Sequence, residues 1–165
     1  MTIRRVITAH DAAGRSTIVS DGPVRSVPVP GVCDLYRLWS ADTPATYPDA
    51  GVNPDAPGFF PPVGGFRCFV FVLPPNKVAV LDTSEPRGGA QDLVMDEGGF
   101  HATDTTDFEV VLSGEATLAT DDGSVVTLTA GDTVVHNGSA HRWSNLGSVP
   151  AVLCGCIVGA HRREK

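Results

Sequence analysis

Short runs of β-branched and aromatic residues, separated by glycine and proline, fill most of this chain. Its 165 residues include 18 glycines and 13 prolines, and no long stretch carries the 3.6-residue apolar period of an amphipathic helix. From residue 107 onward, short alternating runs follow one another closely, and the segments 121–123 and 130–132 have the composition of tight turns. Many short strands at near-regular spacing predict an all-β sandwich or barrel with few or no helices.

Two irregular stretches interrupt the strand pattern. Residues 41–65 contain six prolines and no periodicity, which is too much ring constraint for an interior strand, so we expect a long loop there. Tyr47, Phe59 and Phe60 in this loop are candidates for a pocket mouth, with simple packing onto the domain as the alternative. The second irregular stretch, 84–99, leads into the C-terminal strands.

The chain is expected to form a single domain over residues 1–165, because no shift in composition divides it. Residues 1–65 would supply N-terminal strands and the proline-rich loop, and residues 66–158 a barrel core. The N-terminal strands are predicted at 4–10, 15–22 and 35–40, the first two joined as a hairpin.

Composition excludes several classes of function. The formal net charge of −7 and the absence of a basic stripe argue against nucleic acid as a partner, because its phosphates would be repelled. No apolar run is long enough to span a bilayer and none is of signal-peptide type, so we expect a cytoplasmic protein with no membrane partner.

The four cysteines do not form a disulfide framework pattern, and Cys154 and Cys156 are interpreted as small buried side chains on one strand face.

The segment GGFHATDTTDFEVVLSGE, residues 98–115, contains one histidine and four acidic residues, and its pattern predicts a strand that runs into a tight turn. His101, Thr103, Asp107 and Gly114 occupy positions that resemble the first motif of the cupin superfamily. In that motif, two histidines one residue apart and a later glutamate precede a glycine that turns the chain. Thr103 stands at the position of the second histidine and Asp107 at that of the glutamate, so the motif is altered at two of its ligand positions.

A later block resembles the second cupin motif, which supplies the third histidine. Its matching residues are Gly131, Asp132, Gly138, His141 and Asn145. The resemblance is to small single-domain cupins, and it implies a double-stranded β-helix, or jelly-roll, barrel. It also implies a homodimer, because cupins commonly pair.

The resemblance implies that His101, His141 and Asp107 are metal-ligand positions. Two imidazoles and a carboxylate suit a divalent metal such as Zn, Mn, Fe or Ni and leave a coordination position open for water or substrate. The alternative is that His101 or His136 only satisfies backbone groups at a strand end.

Glu109 and His136 are further candidates for the interior. On a strand, Glu109 faces the same side as Asp107, about 6–7 Å further along, and His136 lies five positions before His141. Two carboxylates on one buried face repel, so one should hold a proton, and with a histidine nearby they would provide a general acid and a general base without a metal. A bulge that turns Glu109 outward, or a bond from it to a neighbouring strand, is the alternative.

Three further residues are candidates for the substrate pocket. Thr103 would face the pocket because it occupies the position of the motif's second histidine, and Trp143 would be an aromatic residue of the core or of the pocket rim. Arg67 interrupts an apolar strand; turned inward it would anchor a substrate carboxylate, and turned outward it would meet water.

The sequence therefore predicts a small metal-dependent enzyme that acts on a small organic molecule with a carbonyl, carboxylate or enol group. Lyase, decarboxylase, isomerase and cyclase chemistry all suit a metal that polarises oxygen beside Glu109, His136 or Asp107 as a proton carrier. A ferrous dioxygenase and a non-catalytic binding protein that lacks the metal are the alternatives; Thr103 favours the latter.

Overall fold

The structure is a computed structural model that describes residues 1–54, 56, 58–86 and 90–163. Parts of the two irregular stretches, at 55, 57 and 87–89, lie outside the described residues. The described residues form twelve strands and no helix, which confirms the all-β prediction. In chain order the strands are β1 (Ile3–His10), β2 (Ser16–Val24), β3 (Val27–Val29), β4 (Cys33–Ala41), β5 (Phe66–Leu73), β6 (Lys77–Val78), β7 (Thr105–Ser113), β8 (Glu115–Thr120), β9 (Val125–Thr129), β10 (Thr133–Asn137), β11 (His141–Asn145) and β12 (Ala151–Gly159).

Two antiparallel sheets enclose the core. One has six strands in the order β10-β7-β12-β5-β4-β3, and the other has four in the order β6-β11-β8-β9. Phe71 and Leu153 of the larger sheet lie in the same buried apolar cluster as Leu118 and Trp143 of the smaller one. This arrangement is the predicted jelly-roll barrel, because both sheets bury their inner faces against each other.

The N-terminal strands extend the barrel on its outer side. β1 and β2 pair antiparallel as the predicted hairpin. Ile3 and Val24 of this hairpin pack against a second apolar cluster, formed by Tyr36, Val70 and Val152 on the outward face of the six-stranded sheet. The short strand β3, which contains a proline, was not predicted.

Gly114 turns the chain between β7 and β8, as the first motif implies. Its φ is 75°, in the left-handed region that disfavours side chains, and an added Cβ would lie 2.5 Å from the carbonyl oxygen of Pro150. Asn145 ties down the turn that follows β11. Its Nδ2 donates to the carbonyl oxygens of Leu73 and Val149, and its Oδ1 accepts from the N–H of Gly147.

The cysteines carry free thiols. Cys154 and Cys156 share the outward face of β12, where they are half-buried, and the Sγ of Cys156 lies 3.0 Å from that of Cys68 on β5.

Across the described ranges, the structure contains no helix long and apolar enough to cross a membrane. The homodimer and the cytoplasmic location stay predictions.

Arg67 holds the proline-rich loop against the barrel. Its side chain is buried, and its Nη2 lies 2.6 Å from an Asp42 carboxylate oxygen. The other four N–H donors bond to backbone oxygens, those of Ala41, Gly58, Phe60 and Phe66. A guanidinium has five N–H groups, so all of its hydrogen-bonding capacity is used within the fold.

Replacement of this arginine should therefore destabilise the protein strongly. We expect Arg67→Ala to lower the free energy of unfolding by about 3 kcal/mol or more, because it leaves buried carbonyl oxygens unpaired. Arg15→Ala breaks an exposed ion pair with Asp11 and should cost about 0–1 kcal/mol. Urea unfolding of both variants is the measurement, and equal losses would contradict the assigned role of Arg67.

Candidate functional site

The inward face of β7 carries a row of polar side chains into the core. Thr105, Asp107 and Glu109 alternate with outward residues along the strand and are all buried. β7 lies between β10 and β12, so Asp107 pairs with His136 on one side and Glu109 pairs with Gly155 on the other. The strand register therefore places two carboxylates and an imidazole next to one another.

His101 and His141 face each other through a backbone bridge. The N–H of His101 donates to the carbonyl oxygen of His141 at 3.0 Å, and the reverse bond measures 2.9 Å. This pairing sets the ring centroids 4.4 Å apart. The Nδ1 of His141 lies 2.9 Å from the carbonyl oxygen of Ser139, which can only accept, so Nδ1 carries the proton and Nε2 presents a lone pair.

His136 lies behind this pair. Its ring stacks on that of His141, with centroids 3.9 Å apart and an interplanar angle of 14°, and meets Trp143 edge to face. Its Nε2 lies 3.4 Å from Oε2 of Glu109, within ion-pair range but without a hydrogen bond.

Several buried polar atoms of this site have no hydrogen-bond partner. They are His101 Nδ1, Asp107 Oδ1, Glu109 Oε2 and His136 Nε2. Each unsatisfied buried group costs about 1–3 kcal/mol, so stability alone gives no reason for this concentration in one place. Unpaired polar groups at a cavity wall are typical of a site that binds a ligand or an ion.

Burial sets the protonation of the site. Desolvation lowers the pKa of His141 to about 3, with a smaller contribution from the neighbouring imidazoles, and also lowers the pKa of His101. Desolvation raises the pKa of Asp107, and the charge of Glu109 raises it further. The site therefore favours neutral imidazoles at His101 and His141 and a carboxyl at Asp107 that holds a proton more readily than usual.

These side chains form one end of a cavity of about 80 Å³. The remaining wall is apolar and comes partly from the two irregular stretches, which contribute Phe59, Phe60, Leu93 and Met95. The carboxylate of Asp92 accepts hydrogen bonds from the N–H groups of Phe59 and Phe60, which joins the two stretches over the cavity.

Most of the predicted site residues are brought together. His101, Thr103, Asp107, Glu109, His141 and Trp143 line the cavity. His136 contacts Glu109 and His141 but does not itself line the cavity. Arg67 lies elsewhere: its interpretation as a pocket residue is not supported, because its five donors bind the proline-rich loop and Asp42.

Other cavity residues were not identified from the sequence. Phe69 and Phe71 on β5 and Cys33 at the start of β4 belong to the wall. Alternation along β5 could have identified the two phenylalanines, which share the inner face. Tyr47, a candidate for the pocket mouth, is exposed and lies away from this cavity.

The candidate ligands are of the residue types that bind a divalent metal, but their arrangement is less suitable. His101, His141 and Asp107 offer nitrogen and oxygen donors, and two of them have unpaired buried atoms. Within the part of the chain that the structure describes, however, no group of three or more such side chains is arranged to hold a metal ion. The rings of His136 and His141 lie in two nearly parallel planes, with centroids 3.9 Å apart, so an ion at bonding distance cannot lie in both ring planes.

The low pKa of His141 predicts a pH-dependent stability in metal-free protein. Between pH 6.5 and about 3, the unfolded chain binds a proton at His141 that the folded chain does not, so stability should fall as the pH falls. At pH 5 protonation of this residue in the unfolded chain should lower the free energy of unfolding by about 1–2 kcal/mol. The raised pKa of Asp107 changes the stability in the opposite direction. Urea unfolding from pH 7 to 5 with chelator should show a shallower decline for His141→Asn, whereas exposed His161→Asn should follow the wild type. An unchanged decline in His141→Asn would contradict the assignment.

The chain is similar to two curated fungal proteins. It is 31% identical over 156 residues to phomopsin biosynthesis cluster protein D of Diaporthe leptostromiformis, a match that covers 87% of this chain and 71% of that protein. Phomopsin biosynthesis cluster protein C′ of the same fungus is 30% identical over 148 residues, with the same shares covered. No model of a protein family matches the chain.

Solved structures share the fold. A protein with a double-stranded β-helix domain from Klebsiella pneumoniae superposes with a TM-score of 0.51 at 18% identity, over 86% of this chain and 91% of that one. A Cupin 2 conserved barrel domain protein from Salinispora arenicola gives a TM-score of 0.49 at 18% identity, over 81% and 82% of the two chains. The chain therefore has the double-stranded β-helix fold that was predicted, and it belongs to the family that includes the phomopsin cluster proteins D and C′.

Proposed function

We propose that this protein is an enzyme that transfers a proton on a small organic molecule bound in the cavity. The observation that supports this most directly is the buried pair of Glu109 and His136, 3.4 Å apart at the polar end of an apolar cavity. A passive apolar pocket would have no reason to bury these groups with their polar atoms unpaired. Isomerase, lyase, decarboxylase and cyclase reactions all use such a step.

Glu109 is the proposed general base. Its carboxylate lines the cavity, where its Oε2 has no hydrogen-bond partner, so it can accept a proton from a bound molecule. His136 acts through Glu109 as a positioning residue, because its ring touches the carboxylate but not the cavity. The sequence suggested that His136 could carry the proton itself, whereas the proposed role is to position the Glu109 carboxylate.

Asp107 is the proposed general acid. Its raised pKa favours a protonated carboxyl, which can return a proton to an oxygen of the bound molecule. Neutral His101 on the same wall can donate a hydrogen bond to that oxygen and orient it, and the Nε2 lone pair of His141 can accept one from the O–H that results. Two carboxyl groups in different environments thus divide the roles of acid and base.

The relatives support a role in small-molecule metabolism. Both are named as proteins of a biosynthesis cluster for phomopsin. A cavity that reaches the interior of the barrel is consistent with an enzyme acting on a compact organic intermediate or on one end of a larger one.

Hydrogen exchange at carbon tests the proposal directly. Small neutral aryl ketones that carry a ring hydroxyl should, in D₂O, lose the NMR signal of the C–H beside the carbonyl faster with protein than in buffer. Glu109→Gln should lower the protein-dependent rate by about 10²–10⁴-fold, because the amide cannot accept the proton.

The matched control is Glu115→Gln at the exposed start of β8, which should retain the wild-type rate. Exchange by the wild type that persists in Glu109→Gln would exclude Glu109 as the base. Absence of exchange by the wild type across the ketone panel would favour a binding protein without turnover.

A metal-dependent enzyme is the second candidate. It is favoured by the free Nε2 of His141 and by the unpaired atoms of His101 and Asp107, the three side chains that would hold the ion. A bound divalent metal would supply a Lewis acid that polarises a substrate oxygen.

Elemental analysis of the purified, untagged protein tests this second candidate. About one Zn, Mn, Fe or Ni per chain is expected if the site is a metal centre, with a clear loss in His101→Asn and His141→Asn. The variant His161→Asn should keep the wild-type content, because His161 is exposed at the C-terminal side of β12. Metal far below one per chain that added ions do not restore would exclude this candidate.

A further inference from the structure

We propose that the cavity selects a neutral molecule with an apolar body and a hydrogen-donating O–H or ring N–H, and that it rejects carboxylates. This inference rests on the proposed function, since it names the substrate class of the same site. It narrows the range of carbonyl, carboxylate and enol compounds that the sequence allowed.

The wall of the cavity is almost entirely apolar. Phe59, Phe60, Phe69, Phe71 and Trp143 contribute five aromatic rings to it. Flat aromatic surfaces on several sides favour an apolar, and especially a ring-shaped, ligand body over a sugar or another highly hydroxylated molecule.

The polar end requires hydrogen-bond donors from the ligand. Asp107 Oδ1 and Glu109 Oε2 lack partners, and both side chains line the cavity with about 6% of their surface exposed. The ionised carboxylate that is proposed for Glu109 can only accept hydrogen bonds. A ligand O–H or N–H would satisfy its Oε2, which the fold leaves unpaired, whereas a purely apolar ligand would leave that oxygen desolvated and unpaired.

No positive side chain on the described cavity wall compensates the carboxylate of Glu109. Among the described residues that line it there is neither lysine nor arginine. Arg67 is fully used by Asp42 and the proline-rich loop, and the guanidinium of Arg142 lies over the Phe100 ring. A ligand carboxylate would thus meet the like charge of Glu109 with no cation on the described wall to offset it, and this repulsion disfavours its binding.

The volume limits what enters. The cavity measures about 80 Å³, compared with roughly 150 Å³ for an engineered apolar cavity that accepts benzene. A single ring therefore enters only if the wall moves outward, for which the flexible side chain of Met95 is suited. Without such a movement, the enclosed part holds only a group smaller than one ring.

Binding of three compounds with one ring each tests the inference. Phenol, toluene and benzoate are titrated into the wild-type protein at pH 7 with chelator present, and binding is followed by ligand-detected NMR. Phenol should bind at least tenfold more tightly than toluene, although toluene is the more hydrophobic, and benzoate should bind at least tenfold more weakly than phenol.

Two variants separate hydrogen bonding from charge. Glu109→Leu should abolish the preference for phenol over toluene, because it removes an unpaired acceptor. Glu109→Gln should bind benzoate several-fold more tightly than the wild type does, because it removes one negative charge while it keeps the side-chain shape. Glu115→Gln, which removes an exposed charge, should change neither preference, and thermal unfolding checks that each variant is folded.

The outcomes distinguish this inference from the proposed function. Selective phenol binding without any carbon–hydrogen exchange would remove the proton-transfer function and leave the ligand class standing. Benzoate binding equal to or tighter than phenol binding, or no binding of any of the three compounds, would overturn the ligand class. Benzoate binding that appears only after Zn²⁺ is added would also overturn it and would favour the metal-dependent candidate.

Discussion

The burial of two carboxylates on β7 is the constraint on which the rest of the site depends. Asp107 and Glu109 point into the barrel, where a charge is costly unless it is paired, and the partner in range of Glu109 is an imidazole at 3.4 Å. The raised pKa of Asp107 and the unpaired oxygens follow from this placement, and no lysine or arginine on the described cavity wall compensates them. Burial of such groups lowers the stability of the folded protein, and a departure of this kind from a fully apolar core is typical of a functional site.

Close packing around Gly155 makes the placement possible. This glycine lies between Phe69 on β5 and Glu109 on β7 in the six-stranded sheet. An added Cβ would lie 2.8 Å from the Phe69 ring and 3.1 Å from Cγ of Glu109, so a side chain here would displace one of them. The lack of a side chain at Gly155 therefore leaves room for both the Glu109 side chain and the Phe69 ring at the cavity.

Local patterns predicted most of the strands, the hairpin and the inward row of β7, because the period-2 alternation of a strand is visible within a few residues. Resemblance to two motifs predicted the barrel, which alternation alone left open between sandwich and barrel. The environment of Arg67 could not be predicted, because its acceptors are backbone oxygens of a loop whose path is not encoded in residue spacing. The role of Gly155 could not be predicted from the sequence either, since it depends on which strands flank β12.

The two departures from the first motif have a common physical consequence. Thr103, at the position of a histidine, bonds through its hydroxyl to Thr105 at 2.6 Å and adds no imidazole to the cavity wall. His136 supplies a third imidazole from β10, but it lies behind Glu109 and stacks on His141, so it supports a carboxylate where a metal cage would need a converging nitrogen. The number of imidazoles matches the usual motif while their geometry differs, which is why this arrangement favours acid–base chemistry over three-histidine metal binding.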